Sequence, residues 1–221
     1  MRLRLLPLLL VLALAACGGG DDDGSSDAAG TTGAPATSDS CESVDAPEPK
    51  PDGGRTAPTE ALAAGKTYRL VIETNCGEIT IALDPKSAPK TTASLVALAR
   101  SGFYDGTTFH RVVPGFVIQG GDPTGTGSGG PGYETVDVPP SGTAYTAGVV
   151  AMAKGAVQPP GTSGSQFFVV TAPDAGLPPD YAVVGNVTEG METVSAIEAL
   201  GLGDGPPSQP VVIEKVTVEE S

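Results

Sequence analysis

From residue 67 onward, apolar and polar positions alternate. Tyr68, Leu70 and Ile72 share one phase, and Ile79, Ile81 and Leu83 resume it after Asn75-Cys76-Gly77, which predicts a β-hairpin. The period lengthens over residues 87–99, where Leu95, Val96, Leu98 and Ala99 predict a helix entered through Pro89 and closed by Gly102. Further strands are predicted over residues 109–113, 116–119, 148–152, 166–171, 181–187 and 211–218. Met191, Val194, Ile197 and Leu200 recur every third residue and predict a second helix over residues 191–200. No internal repeat is visible. Many short strands punctuated by Gly and Pro, with two helices, predict a mainly β domain built as a closed antiparallel barrel with plugged ends.

The front of the chain has no such pattern. Arg2 and Arg4 precede an apolar run over residues 5–16, too short to span a bilayer as a mature helix and shaped like a secretory signal. Leu14-Ala15-Ala16-Cys17 resembles a bacterial lipobox, with cleavage before Cys17 and a diacylglycerol on its thiol; an ordinary signal peptide with an incidental Cys17 is the alternative. Acyl chains anchor a protein by burying CH2 groups, each contributing about 0.8 kcal/mol. The expected organisation is a signal peptide over residues 1–16, a lipidated N-terminus and disordered acidic linker over residues 17–60, and a folded domain over residues 61–221. The chain is expected to be lipid-anchored on the extracytoplasmic face of the cell membrane.

Composition sharpens this division. Residues 18–60 hold ten acidic and two basic side chains and scarcely an aliphatic one, so they bury too little apolar surface to offset their ordering entropy. The whole chain has 221 residues, 12 Lys and Arg against 26 Asp and Glu, and a net charge of −14, which argues against general nucleic-acid binding. One His and three Cys leave no zinc site of the usual Cys/His kind. With Cys17 lipidated, Cys41 and Cys76 remain as an even pair. They either form a disulfide that pins the linker to the first hairpin, or stay as two free thiols, which exported proteins tend to avoid.

Three familiar motif shapes fail. Gly65-Lys66-Thr67 lacks the first Gly of a P-loop, where Glu60 stands. The run from Gly125 to Gly130 fits GxGxxG, yet Pro131 follows and no helix opens there. Gly161-Thr162-Ser163-Gly164-Ser165 lacks the closing Gly of a nucleophile elbow, and His110, the lone imidazole, reads as a hydrogen-bonded core residue. No motif calls for a cofactor or a metal.

What stands out is Phe109-His110-Arg111-Val112-Val113-Pro114-Gly115-Phe116-Val117-Ile118-Gln119-Gly120-Gly121-Asp122, a cation, an aromatic and an amide within an apolar run. This segment resembles the signature of the cyclophilins, peptidyl-prolyl cis/trans isomerases. The resemblance extends over about residues 67–218. It takes in Phe103-Tyr104-Asp105-Gly106, Gly129-Gly130-Pro131-Gly132-Tyr133, Met152-Ala153, Gly164-Ser165-Gln166-Phe167-Phe168, Val184-Gly185-Asn186-Val187 and Glu189-Gly190-Met191, in the family's order. It implies a closed eight-stranded antiparallel β-barrel with two capping α-helices.

The resemblance also implies the chemistry. Arg111, Phe116 and Gln119 are the expected catalytic residues: Arg111 aims at the prolyl amide, Phe116 holds the ring, and Gln119 bonds the substrate backbone and orients Arg111. Val117, Phe168 and Leu177 would complete the proline pocket. Met152, Ala153, Lys154, Gln166 and Tyr181 would line the adjoining groove. Departures occur at Gly176, where the family commonly has Trp or Phe, and at Val117, Val184 and Tyr181, where Met, Phe and His are common. The loop over residues 156–161 also looks longer than usual. Expected partners are proline-containing segments of exported proteins and, through the lipid, a membrane; nucleic acid is not expected, and the chain is expected to be monomeric. A membrane-tethered isomerase that assists folding of exported proteins is the main expectation. The alternative is a tethered module that binds proline motifs without catalysis.

Overall fold

The structure, a computed structural model, describes residues 41–221, so the expected signal peptide, the lipidation at Cys17 and the linker up to residue 40 lie outside the described residues. The elements are β1 (Tyr68–Thr74), β2 (Gly77–Leu83), α1 (Pro89–Arg100), β3 (Thr107–Thr108), β4 (Arg111–Val113), β5 (Val117–Gly120), β6 (Thr135–Val136), β7 (Val149–Met152), β8 (Thr162–Ser163), β9 (Phe167–Val170), β10 (Val183–Glu189), α2 (Met191–Glu198) and β11 (Val212–Glu220).

Nine strands form one sheet in the order β3-β11-β1-β2-β10-β7-β9-β5-β4, while β6 and β8 pair separately. Every pairing is antiparallel. The edge strands β3 and β4 are consecutive in the chain, with only Phe109 and His110 between them, so the sheet curls round on itself. The expected count of eight closed strands therefore becomes nine. The strand expected over residues 109–113 begins only at Arg111, because Phe109 turns fully into the core and the chain passes from β11 to β5 as its partner.

Alternation explains the wall. In β1, Tyr68, Leu70 and Ile72 are buried while Arg69 and Glu73 face out, as period-two geometry requires. Together with Ile79, Ile81, Ile118, Phe167, Val169 and Ile213 they fill the interior, each contributing about 1.5–3 kcal/mol on burial. A residual gap of about 10 Å³ among Leu70, Ile81, Tyr104 and Phe167 is too small for a ligand, so the interior is core. A second apolar cluster lies apart from it, built from Val117, Tyr145, Val149, Ala151, Phe168, Val170 and Ala172.

The helix α1 starts at Pro89, two residues later than expected, because Ser87 donates instead to Asp84 at 2.6 Å in the preceding turn. Pro is suited to a first helical turn, where its missing N–H costs nothing. Its N-cap Ala88 offers no side-chain acceptor; Asp137, from a distant loop, accepts the Thr91 N–H at 2.7 Å in its place. The helix α2 ends at Glu198 rather than residue 200, and buries Thr193, Val194 and Ile197.

Residues 41–60 correct the expected boundary at residue 61. They have no helix or strand, yet they run as a strap along the domain. Cys41 is disulfide-bonded to Cys76 in the β1–β2 turn. Asn75, in the same turn, donates to Glu42 O at 2.6 Å and Pro210 O at 3.2 Å and accepts from Val212 N at 2.8 Å. The Lys50 ammonium spends its three donors on the carbonyls of Gly102, Phe103 and Asp105 at 3.1, 2.7 and 2.8 Å. Burial pushes its pKa down, against the opposing pull of the Asp105 charge. The composition of the strap is that of a linker; a disulfide, backbone groups and one lysine, not an apolar face, hold it down.

Candidate functional site: a polar row on an outer barrel face

Register places the expected residues. Arg111 on β4 faces Gln119 on β5, Gln119 faces Phe168 on β9, and Phe168 faces Ala151 on β7. Directly opposed residues share one face of a sheet, so these four stand in a row across four strands. Their neighbours Ile118, Val169 and Met152 have the opposite phase and point inward.

That phase corrects one expectation. Met152 is fully buried within the interior cluster, so its side chain cannot line the groove. Ala153 projects the other way and packs on the outer cluster with Phe116, Leu177 and Tyr181. Val117 and Phe168 are buried members of that cluster. The Phe168 and Tyr181 rings meet edge-on with centroids 5.6 Å apart. Tyr145 fixes Tyr181 by donating to its carbonyl at 2.7 Å and accepting from its N–H at 3.0 Å. Gly176, in left-handed conformation at φ +62°, has nothing within 4 Å of where a Cβ would sit, so this wall stays open.

From Arg111 a continuous set of hydrogen bonds starts along the row and leaves it at Gln119 for Gln166. Arg111 Nη1 donates to Gln119 Oε1 at 3.1 Å, Gln119 Nε2 to Gln166 Oε1 at 3.0 Å, and Gln166 Nε2 to Gly129 O at 2.9 Å. The glycine loop that carries this last acceptor is wound on the buried Asp122. Its Oδ1 accepts from Thr124 N at 2.7 Å and Thr124 Oγ1 at 2.9 Å, and its Oδ2 from Gly127 N at 2.5 Å and Gly129 N at 3.1 Å. Burial pushes the Asp122 carboxyl up, but these donors outweigh it and hold the pKa below the ordinary value. The turn into Asp122 requires Gly121 (φ +84°), where a Cβ would meet Ser165 O at 2.7 Å. His110 differs from expectation: neither sheltered ring nitrogen has a regular hydrogen-bond partner among the described residues, and burial lowers its pKa.

At the other end, Arg111 Nε and Nη2 donate to Asp204 Oδ1 and Oδ2 at 2.6 and 3.0 Å, while its guanidinium carbon lies 6.0 Å from the Phe116 ring centre. The sequence reading missed Asp204, Asp122 and the Gly129 carbonyl. Asp204 stands 93 residues from Arg111 in a turn-rich stretch with no local signal; Asp122 closes the signature run and was the one within reach.

Beyond Gln119 and Gln166 opens a groove of about 890 Å³, bounded by the glycine loop, Ala153, Lys154, the loop around Gln158, and Asp52 of the strap. Lys154 Nζ donates to Gln158 O at 3.1 Å and lies 5.4 Å from the Tyr181 ring centre, so its side chain is occupied at the groove wall. Gln158 bonds Glu134, which fastens the loop over residues 155–160 across the groove's rim. Among the described residues no group of three or more His, Cys, Asp and Glu is placed to hold a metal ion.

Residues 69–218 match the family profile described as cyclophilin type peptidyl-prolyl cis-trans isomerase/CLD. The chain belongs to the cyclophilin family. Peptidyl-prolyl cis-trans isomerase A of Mycobacterium tuberculosis is 42% identical over 171 residues, covering 69% of this chain and 92% of that protein. Peptidyl-prolyl cis-trans isomerase B of Bacillus subtilis is 49% identical over 129 residues, 58% and 87% of the two chains. The crystal structure of a Cryptosporidium parvum cyclophilin type isomerase superposes with TM-score 0.64 at 32% identity, covering 69% of this chain and 98% of its own. The strap of this cyclophilin lies before the matched region, and so does the Asp52 that it adds to the groove.

Proposed function

We propose that this cyclophilin is tethered by its N-terminal lipid outside the cytoplasm and, as a monomer, accelerates rotation about X–Pro bonds of exported polypeptides. Rotation faces a barrier of about 18–20 kcal/mol because the amide is resonance-stabilised, and uncatalysed exchange takes tens to hundreds of seconds. No bond breaks, so the enzyme needs only to bind the twisted amide better than either planar form. As the bond twists, the prolyl nitrogen regains its lone pair and becomes an acceptor for the Arg111 guanidinium. Phe116, Phe168 and Leu177 offer the apolar surface for the proline ring, and Gln119, Ala153 and Gln166 offer the adjoining groove to preceding residues.

The observation that carries this reading is the Arg111 guanidinium, held between Gln119 and Asp204 beside the Phe116 ring. The Cys41–Cys76 disulfide supports an oxidising compartment. A Cryptosporidium parvum relative crystallised in the presence of the dipeptide Ala-Pro, with TM-score 0.62 at 32% identity, supports a proline-containing ligand. The test is cis/trans exchange of a proline tetrapeptide followed by NMR with the full chain. Arg111→Ala is expected to lower the rate about 10- to 100-fold, the loss of a charged hydrogen bond of about 1.5–3 kcal/mol; an unchanged rate overturns Arg111 as the acting group. Gly176, with its open wall, favours the alternative of binding alone, which peptide shifts without faster exchange would establish.

A further inference from the structure

Arg111 lies on β4, the last strand of the sheet, and β4 and β5 form a hairpin of only three and four residues. Such an edge has little rigidity of its own. The last residue of α2 and the segment after it supply it. Glu198 accepts the Gly115 N–H at 2.7 Å in the hairpin turn, and Gly205 O accepts the Val112 N–H at 2.8 Å on the free edge of β4. Gly201 lies so close that a Cβ there would stand 2.7 Å from Pro114 and 2.9 Å from Val112. The segment also closes on itself, with Ser208 N bonded to Leu200 O at 2.8 Å and Gly201 bridged to Pro207. Two consecutive prolines, Pro206 and Pro207, stiffen its return. Asp204 sits at the tip of this brace, next to the Gly205 anchor.

A guanidinium has five N–H donors. Asp204 takes two of Arg111's and Gln119 takes one, in a side-on fork that defines the plane of the group. Two N–H groups are left for a substrate. The Asp204 side chain is 69% exposed and that of Arg111 29%, so solvent screening leaves the pair little weight in folding stability. Its consequence is orientation: without it a long side chain on an edge strand samples several rotamers, and only some present the spare donors to the pocket.

We infer that Asp204 is a positioning residue for Arg111, holding the guanidinium in the orientation that meets the twisting prolyl amide. This rests on the reading of Arg111 as the group that acts on the bond. It makes the loop between α2 and β11 part of the catalytic apparatus, although none of that loop was singled out from sequence.

The test measures kcat and KM for exchange of a proline tetrapeptide by NMR, with the full chain and its Arg111→Ala, Asp204→Asn, Asp204→Glu and doubly substituted forms. Asp204→Asn is expected to lower kcat about five- to tenfold, with KM changed less than about twofold and Tm unchanged. Asp204→Glu should recover much of kcat, since it restores the charged fork with a longer reach. In the Arg111→Ala background Asp204→Asn should add nothing. The Arg111 Nε proton, resolved and slow to exchange in the parent, should broaden in Asp204→Asn. A collapsed Arg111→Ala rate alongside a parental Asp204→Asn rate overturns the inference and leaves the isomerase reading intact. A faster Asp204→Asn overturns it too, because Asp204 would then restrain Arg111 from its substrate. An Arg111→Ala rate equal to the parent's overturns both readings together.

Discussion

The two hairpins β1–β2 and β4–β5 are built on the same alternation and held by different means. The first joins two seven-residue strands through six paired positions, and its inward side chains, Leu70, Ile72, Ile79 and Ile81, are buried in the interior. The second is half that length, and its outward side carries Arg111 and Gln119. The first is secured by a long ladder and a buried face, with the disulfide to Cys41 fastening its turn. The second is secured by Glu198, Asp204 and Gly205 from one side and by the Asp122-centred loop from the other. A long ladder with a buried face resists change but offers nothing to a ligand. A short one leaves its outer face free for chemistry, and distant segments must then supply the rigidity.

Three substitutions press on this contrast. The largest expected effect is in the first hairpin. Ile81→Ala removes a side chain 1% exposed and should destabilise the domain by about 2–5 kcal/mol, read from urea unfolding, while exchange per folded molecule stays at the parental rate. A loss of activity without a loss of stability would erase the distinction between the hairpins.

Next comes the fastening of the first hairpin's turn. Replacing Cys41 and Cys76 together by Ser opens a loop with a sequence separation of 35 and should cost about 2–4 kcal/mol, again in urea. The rate should move far less than the stability, because the turn reaches the α2–β11 segment only at Gln209 and Pro210 and bonds neither Arg111 nor Asp204. A chain cut at residue 61 should lose at least as much, since it also loses Lys50 and its hydrogen bonds to three carbonyls.

The smallest effect is at Asp122, beside the second hairpin. Asp122→Asn leaves an amide where four donors converge and should cost about 1–3 kcal/mol near neutrality. Here activity should fall as well, because the Gly129 carbonyl that holds Gln166 moves with the loop. The parent should also lose stability on acidification. Its folded pKa is lowered, so the unfolded carboxyl, near about 3.9, takes up protons first. The contribution is complete above that pH and drains as pH falls through the lower folded value. Urea melts of both forms at neutral and acid pH measure this, and the substituted form should lose less between them.

Some of this was legible beforehand and some was not, for reasons that differ by residue. The β1–β2 hairpin was readable because a strand with one buried face writes its orientation into alternate positions. The break at Phe109 was not, since residues 107–113 contain no Gly, Pro, Asn or Asp to mark a change of partner. Met152 was assigned to the groove by its place in a motif, and only its phase against Phe167 and Phe168 shows that it faces inward. The strap looked like a linker because, apart from the disulfide at Cys41, it is held by backbone hydrogen bonds and one ammonium, which leave no periodic trace.

By itself the sequence determined the alternating wall, the two helices, the family and the cluster of residues around Arg111, because these depend on local period or on contiguous runs. Only the tertiary structure decided what surrounds them. Asp204 beneath the guanidinium, Glu198 on the Gly115 N–H, Asn75 between strap and β11, and Asp52 at the groove's edge are all brought together across long spans of chain. Such pairings are set by how the sheet curls and where each loop lands, and nothing in the neighbouring residues records them.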